Sequence, residues 1–293
     1  MFSGSIVAIV TPMKRSGEID YNALIELVEW HIEQGSDGLV VMGTTGESAL
    51  VTEQEFFDAV STVVKQANKR IKVIAGTGTM STAKTVSITQ QVQSLGVDGA
   101  LVVTPYYCKP TQEGLYLHFS QIAHNTTLPI ILYNVPGRTG CDLLPATVAR
   151  LAKIDNIVAI KEATGNVSRV KELKELCDAP MTLLSGDDAT ALEFMRLGGS
   201  GVISVTANIA PRLMSNLCQL AMQENWQQAS LIDQKLSALH NNLFLEANPI
   251  PVKWALAKMG LIEESIRMPM TWLSEEYHPV ILEALEQANV EIQ

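Results

Sequence analysis

The amino-acid sequence predicts an α/β fold, a (β/α)8 barrel followed by a C-terminal helical extension. Eight short apolar runs recur at even intervals of about 28 residues, which is room for one strand, one helix and two short loops. The segments between the runs carry helix start and stop signals, and no glycine-rich dinucleotide loop follows the first run. A doubly wound parallel sheet is the alternative, but eight evenly spaced units favour the barrel.

The eight apolar runs are the predicted strands. Each is almost continuously apolar, as expected for a strand that is buried on both faces in a parallel sheet. They are Ile6–Val10, Leu39–Met42, Val73–Ala75, Ala100–Val103, Pro129–Leu132, Ile157–Ile160, Thr182–Leu184 and Val202–Val205.

Helix signals occupy the segments between these strands. Asp20 is the predicted N-cap of a helix that ends at Gly35, and Thr52 opens a capping box at the next helix. Pro145 occupies a first helical position, and Gly198 closes a helix that begins near residue 188.

After the eighth strand the pattern is wholly helical. From about Arg212 onward we expect about three extra helices, separated near Asn248-Pro249 and Met268-Pro269. The sequence therefore predicts a barrel over residues 1–223 and a helical extension packed on it over residues 224–293. The absence of a linker or low-complexity tract in the sequence favours one compact unit.

Composition and charge limit the classes of partner. The 293 residues are 47% hydrophobic and 18% charged, as in a globular enzyme and unlike a disordered or fibrous chain. A net charge of −10 argues against nucleic acid or an anionic membrane as the main partner, because both bind basic surfaces. An anionic small substrate fits, since one well-placed cation outweighs a distant net charge.

Cysteine usage and hydropathy predict a soluble protein of a reducing cytoplasm. Cys108, Cys141, Cys177 and Cys218 show neither a C-x-x-C spacing nor an accompanying histidine pattern, so we expect free thiols. The N-terminal apolar run, Ile6–Val10, is too short for a secretion signal. No apolar stretch approaches the roughly 20 residues of a membrane span.

Reactive groups of such a barrel lie where strands end, and Lys161 is the most informative of them. It follows the apolar strand Ile157–Ile160, where desolvation disfavours a charged amine. A neutral amine at this place can attack a ketone to form an imine, which then serves as an electron sink. From the strand pattern alone, an ion pair of Lys161 with Glu162 or Asp187 is the alternative.

Two other strand ends carry polar candidates. Tyr133 could shuttle protons, or be a core tyrosine with a satisfied hydroxyl. Thr44 and Thr45 lie in a glycine-flanked loop whose backbone N–H groups suit a carboxylate, although such pairs are also common turn residues. Arg138 follows a Pro-Gly pair, and its forked guanidinium suits either a substrate carboxylate or a surface salt bridge.

Three stretches together resemble the pyruvate-dependent class I aldolase and lyase superfamily: Gly38–Ser48, Tyr133–Thr139 and Ile157–Ala163. The Thr-Pro-Tyr-Tyr run at 104–107 and residues 248–253 are similar as well. Over essentially its whole length the chain looks like the members that condense pyruvate with L-aspartate-4-semialdehyde on the way to diaminopimelate and lysine. The resemblance implies a lyase built on a (β/α)8 barrel with a C-terminal helical extension.

The resemblance also implies catalytic roles. Lys161 would form the imine with the keto carbon of pyruvate. Tyr133 would donate and accept protons, relaying through Thr44 to Tyr107, which in this family enters from a neighbouring subunit. That contribution implies a homo-oligomer, usually a tetramer built as a dimer of dimers.

Substrate contacts are implied in the same way. Thr45 and the Thr44–Thr45 backbone would hold the pyruvate carboxylate, and Arg138 would engage the carboxylate of the semialdehyde. Gly186 and Ile203 would line the pocket through main-chain groups. Because the imine nitrogen supplies the positive charge, the sequence predicts no metal or organic cofactor.

Two other functions are weighed against this one. A sister lyase, such as an N-acetylneuraminate or 2-keto-3-deoxy-sugar-acid aldolase, must accommodate a polyol, whereas Arg138 suits a short aldehyde that bears a carboxylate. A non-catalytic barrel that senses pyruvate or binds a partner is disfavoured because four candidate residues occur together: Lys161, Tyr133, Thr44 and Arg138.

One feature of the family looks altered. In bacterial members that lysine inhibits, a pocket near the subunit interface uses histidines, an Asn and a Glu beside a Ser-Ala pair and a tyrosine. The corresponding residues here are Ser48, Ala49, Glu53, Phe56, Met80, Lys84 and Tyr106. Because the cation of Lys84 would repel the amino group of the effector, we expect inhibition by L-lysine to be weak or absent.

Overall fold

The computed structural model describes residues 2–292 and shows a closed barrel of eight parallel strands. Each strand pairs with its neighbours in the sequence, and β8 pairs with β1, which excludes the doubly wound sheet. The strands are β1 (Gly4–Ala8), β2 (Gly38–Val41), β3 (Lys72–Gly76), β4 (Gly99–Val103), β5 (Ile130–Asn134), β6 (Ile157–Glu162), β7 (Thr182–Ser185) and β8 (Gly201–Ser204).

Helices alternate with the strands and pack against their outer faces. They are α1 (Tyr21–Glu33), α2 (Glu53–Ala67), α3 (Thr82–Leu95), α4 (Gln112–His124), α5 (Pro136–Thr139), α6 (Pro145–Leu151), α7 (Ser168–Leu176), α8 (Ala191–Arg196) and α9 (Pro211–Met222). Asp20 caps α1, Thr52 and Glu55 form the predicted capping box of α2, and Pro145 begins α6. The expected helix near residue 188 begins as a 3-10 turn, which Asp187 caps, before α8 starts.

Three α-helices follow α9 in the described part of the chain: α10 (Trp226–Asn242), α11 (Ile250–Lys258) and α12 (His278–Gln287). α10 packs against both α9 and α12, and the first seven residues of α11 are buried. Among residues 2–292, the helices are too short or too polar to cross a membrane.

The interior of the barrel holds a core of its own, made by alternate residues of the strands. Its members are Phe2, Ile6, Ala8, Val40, Ile74, Leu101, Ile131, Tyr133, Ala159, Leu184 and Ile203. Tyr133 lies opposite Lys161 in the β5–β6 pair, and each is two residues beyond another inward residue, Ile131 or Ala159. Both side chains therefore project into the barrel at the carboxyl ends of the strands.

Candidate active site

A cavity of about 490 Å³ opens at the carboxyl ends of the barrel strands. Thr44, Tyr133 and Arg138 line it together, as the analysis of strand ends predicted, and Asn248 lines it from the C-terminal helical segment. This end of a (β/α)8 barrel is where the loops converge and where catalytic residues of this fold are found.

Lys161 lies beneath this opening as a buried and unpaired amine. The residue is only 5% exposed, and its Nζ atom lies 4.3 Å from the ring centroid of Tyr133. Ion pairing with Glu162 or Asp187 proves to be the wrong interpretation, because neither carboxylate lies within 4.0 Å of the amine. Glu162 instead accepts hydrogen bonds from Asn134 and Thr164.

The reason for this separation is the alternation of side chains along β6. Lys161 points into the barrel and Glu162 points away from it, towards the loops outside. Burial raises the pKa of Glu162, and the hydrogen bonds from Asn134 and Thr164 oppose that shift. The carboxyl group is thus satisfied by its own partners and leaves the neighbouring amine free.

Gly186 packs directly against the stem of Lys161. A Cβ atom built at Gly186 would lie 2.9 Å from Cε and 3.0 Å from Cγ of Lys161, and 2.6 Å from Cβ of Ala163. The backbone N–H of Gly186 donates to the carbonyl of Glu162 at 2.7 Å, which fixes the loop after β7 against β6. Only a glycine leaves room for the amine at this position.

The turn after β2 carries Thr44, which lines the cavity, and Thr45, which is buried next to it in the chain. Its backbone closes through a hydrogen bond from the N–H of Glu47 to the carbonyl of Thr44 at 3.1 Å. Within residues 2–292, the N–H groups of Thr44 and Thr45 donate to no protein acceptor. Backbone donors without a protein partner are suited to bind an anion such as a carboxylate.

Arg138 lies at the rim of the cavity on the one-turn helix α5. Its Nη2 atom donates to the main-chain oxygen of Asn248 at 3.2 Å. No carboxylate of the described chain lies within salt-bridge distance of it, so the alternative of a surface salt bridge is wrong. The remaining guanidinium donors are available to an anionic ligand.

Five candidates do not themselves line the cavity: Lys161, Thr45, Gly186, Ile203 and Tyr107. Among these five, the exposed one is Tyr107. It is 87% exposed, it does not line the opening, and its backbone is in the left-handed region with φ of 71°. Ile203, by contrast, is buried in the inner core, on the strand β8 that closes the barrel.

Asn248 is a contact of the site to which the sequence analysis assigned no role. Its side-chain amide donates to Oγ1 of Thr45 at 2.9 Å, and its carbonyl accepts the bond from Arg138. It is buried, and it links the two predicted carboxylate-binding positions. The signal in the sequence was the Asn-Pro dipeptide at the end of a helical segment, which by itself indicates only a turn.

The same cavity extends past the turn towards α2 and α3. This part is lined by the predicted effector positions Ser48, Ala49, Glu53, Phe56, Lys84 and Tyr106. Met80 does not line it and is half exposed. The cation of Lys84 forms no ion pair with a carboxylate in the described chain.

Comparison with known proteins gives matches over essentially the whole chain. A profile of the dihydrodipicolinate synthetase family matches residues 1–288. The 4-hydroxy-tetrahydrodipicolinate synthase of Methylococcus capsulatus is 54% identical over 290 residues, which covers 99% of this chain and 100% of that protein.

Solved structures agree with these matches. The chloride-inhibited dihydrodipicolinate synthase of Acinetobacter baumannii, complexed with pyruvate, superposes with a TM-score of 0.98 at 52% identity and covers 99% of this chain and 100% of that one. A monomeric dihydrodipicolinate synthase variant superposes with a TM-score of 0.96 at 42% identity, covering 99% of this chain and 98% of its own.

Proposed function

The chain belongs to the dihydrodipicolinate synthetase family, and we propose that it works in lysine and diaminopimelate biosynthesis as a 4-hydroxy-tetrahydrodipicolinate synthase. It is a lyase that condenses pyruvate with L-aspartate-4-semialdehyde through an imine on a lysine. The observation that carries this function is the buried, unpaired amine of Lys161 beside Tyr133, beneath a cavity whose donors suit carboxylates.

In the first half of the proposed reaction, Nζ of Lys161 attacks the keto carbon of pyruvate to give a carbinolamine. Tyr133 donates its proton to the departing hydroxyl group, so that water leaves, an iminium ion remains and Tyr133 becomes a phenolate. The pyruvate carboxylate takes the free N–H donors of Thr44 and Thr45, with Gly186 and Ile203 lining the pocket. Tyr133 then accepts a proton from C3 of the bound pyruvate, which leaves an enamine. The positive charge on the imine nitrogen stabilises the electron pair that this step releases.

In the second half, the enamine carbon attacks the aldehyde of the semialdehyde, whose carboxylate is held by Arg138. Tyr133 returns a proton to the new hydroxyl group, relaying through Thr44 to Tyr107. The amino group of the semialdehyde then attacks the imine carbon, which closes the ring and releases Lys161 as the free amine.

Assembly and compartment form a further part of the proposal. A homo-oligomer, by family resemblance a tetramer, would bring Tyr107 of one subunit to the site of another, and the high exposure of this tyrosine supports that arrangement. One relative is described as a monomeric variant, so light scattering on the purified protein is the direct measurement. A reducing cytoplasm is supported by the four cysteines, all of which are free thiols.

The test of the proposed function is a steady-state assay that offers pyruvate with several aldehydes. We expect L-aspartate-4-semialdehyde to be condensed with a kcat/KM far above that of sugar aldehydes. A preference for N-acetylmannosamine or a sugar-derived aldehyde would assign the chain to a sister lyase instead, and turnover of none of them would contradict an enzymatic role.

A further inference from the structure

Lys253 and Glu47 form a deeply buried ion pair that the proposed mechanism does not use. Nζ of Lys253 lies 2.6 Å from Oε1 of Glu47, and the side chains are 0% and 1% exposed. Burial lowers the pKa of Lys253, and the carboxylate of Glu47 opposes that shift. Apolar residues of similar volume commonly stabilise a fold as well as a buried pair does, so stability alone is a weak reason for its presence.

The pair joins two parts of the chain that are 206 residues apart. Lys253 lies on α11, in the C-terminal helical segment, within a helix that is otherwise apolar over its first seven residues. Glu47 lies in the turn that carries Thr44 and Thr45, three residues beyond the first of them. The ion pair therefore connects the turn after β2 to α11, a helix outside the barrel.

The turn needs such support because its backbone is unusual at Glu47. The φ angle of Glu47 is 57°, in the left-handed region that residues other than glycine seldom adopt. Its N–H donates to the carbonyl of Thr44, so a displacement of Glu47 is transmitted to the turn that carries the N–H groups of Thr44 and Thr45. Oε2 of Glu47 accepts a further bond from the N–H of Arg267 at 3.3 Å.

We propose that Lys253 is a positioning residue for the first substrate, acting through Glu47 to hold the N–H groups of Thr44 and Thr45 at the place where the pyruvate carboxylate binds. Lys253 itself touches no substrate. The C-terminal helical segment thereby sets the affinity of the barrel for pyruvate. This inference rests on the proposed binding of a 2-keto acid at Thr44 and Thr45.

The experiment uses the double variant Glu47→Gln/Lys253→Met, which removes both charges and keeps a polar group for the N–H of Arg267. The single variants would each leave an unpaired buried charge and are less informative. Borohydride trapping of the pyruvate imine, followed by intact-mass measurement over a range of pyruvate concentrations, gives the half-saturation for pyruvate. This readout needs no aldehyde and is independent of the condensation step.

We expect half-saturation and KM for pyruvate to rise about 10- to 100-fold in the double variant, because a displacement of up to about 1 Å in a binding group has effects of that size. The KM for the semialdehyde and the kcat at saturating pyruvate should change by less than about threefold. The matched control is Leu285→Ala in α12, where a buried side chain of the same helical segment is truncated away from the turn. It should lower the melting temperature and leave half-saturation unchanged.

Unchanged half-saturation in the double variant would overturn the inference, and so would an equal rise in Leu285→Ala. If the double variant does not fold, Glu47→Asp replaces it, since that variant keeps the charge but draws it back by one methylene. A parental half-saturation in Glu47→Asp would likewise contradict the inference. Trapping of pyruvate without condensation of the semialdehyde would refute the proposed function and leave this positioning role intact.

Discussion

Replacement of Gly186 by alanine tests how closely the barrel confines the amine of Lys161. The new methyl group would lie 2.6 Å from Cβ of Ala163 and 2.9 Å from Cε of Lys161. The first distance falls about 0.8 Å short of ordinary van der Waals contact, so one of the neighbours must move. Overpacking of this kind costs about 1–3 kcal/mol of stability, and a displacement of about 1 Å at a reacting group costs about 100-fold in rate.

The assay follows imine formation by rapid borohydride quenching and measures stability separately by urea unfolding. Gly137→Ala is the matched control, because a Cβ atom there meets no described atom within 4 Å. In Gly186→Ala/Ala163→Gly the closest contact is removed but both contacts with Lys161 remain, so we expect part of the stability to return and imine formation to stay slow. Imine formation at the parental rate in Gly186→Ala would refute the reasoning.

Three further predictions concern single side chains. Tyr107→Phe should lower kcat about 100-fold, the lower end of the usual range for proton-transfer groups, with an unchanged melting temperature; parental turnover would remove the hydroxyl from the relay. L-lysine below 1 mM should leave steady-state turnover unchanged because of the cation of Lys84, and inhibition in that range would contradict this prediction. Burial lowers the pKa of His31 to about 3, so between pH 6.5 and 3 the unfolded chain binds more protons and stability falls as the pH falls. His31→Leu should remove a slope of up to about 1.4 kcal/mol per pH unit from urea unfolding between pH 6 and 4, and an unchanged slope would show that another group titrates.

Much of the barrel could be predicted because its signals are local. Apolar runs and caps such as that of Thr52 depend on residues only a few positions apart, and they placed the strands and the helix starts. To predict that the amine of Lys161 is unpaired, one further rule is needed. Consecutive side chains of a strand point to opposite faces of the sheet. That rule already separates Lys161 from Glu162, although the strand pattern alone left an ion pair between them open.

The contacts that support the turn after β2 could not be predicted in the same way. Asn248 reaches Thr45 across 203 residues, and nothing in the local pattern around either residue indicates which long-range partner it has. Lys253 carried a recognisable signal, a single charge within an apolar helical segment, but the sequence does not say which carboxylate neutralises it. Tyr107 poses a different problem, because its proposed place in the relay requires a second chain.

The central claim is that the buried amine of Lys161 captures pyruvate covalently. Its most direct test is reduction of the protein with borohydride in the presence of pyruvate, followed by peptide mass mapping of the parent and of Lys161→Met. We predict a single reduced pyruvate adduct on the peptide that contains Lys161, and neither adduct nor condensation in the variant. An adduct on a different lysine, or condensation at the parental rate in Lys161→Met, would contradict the account.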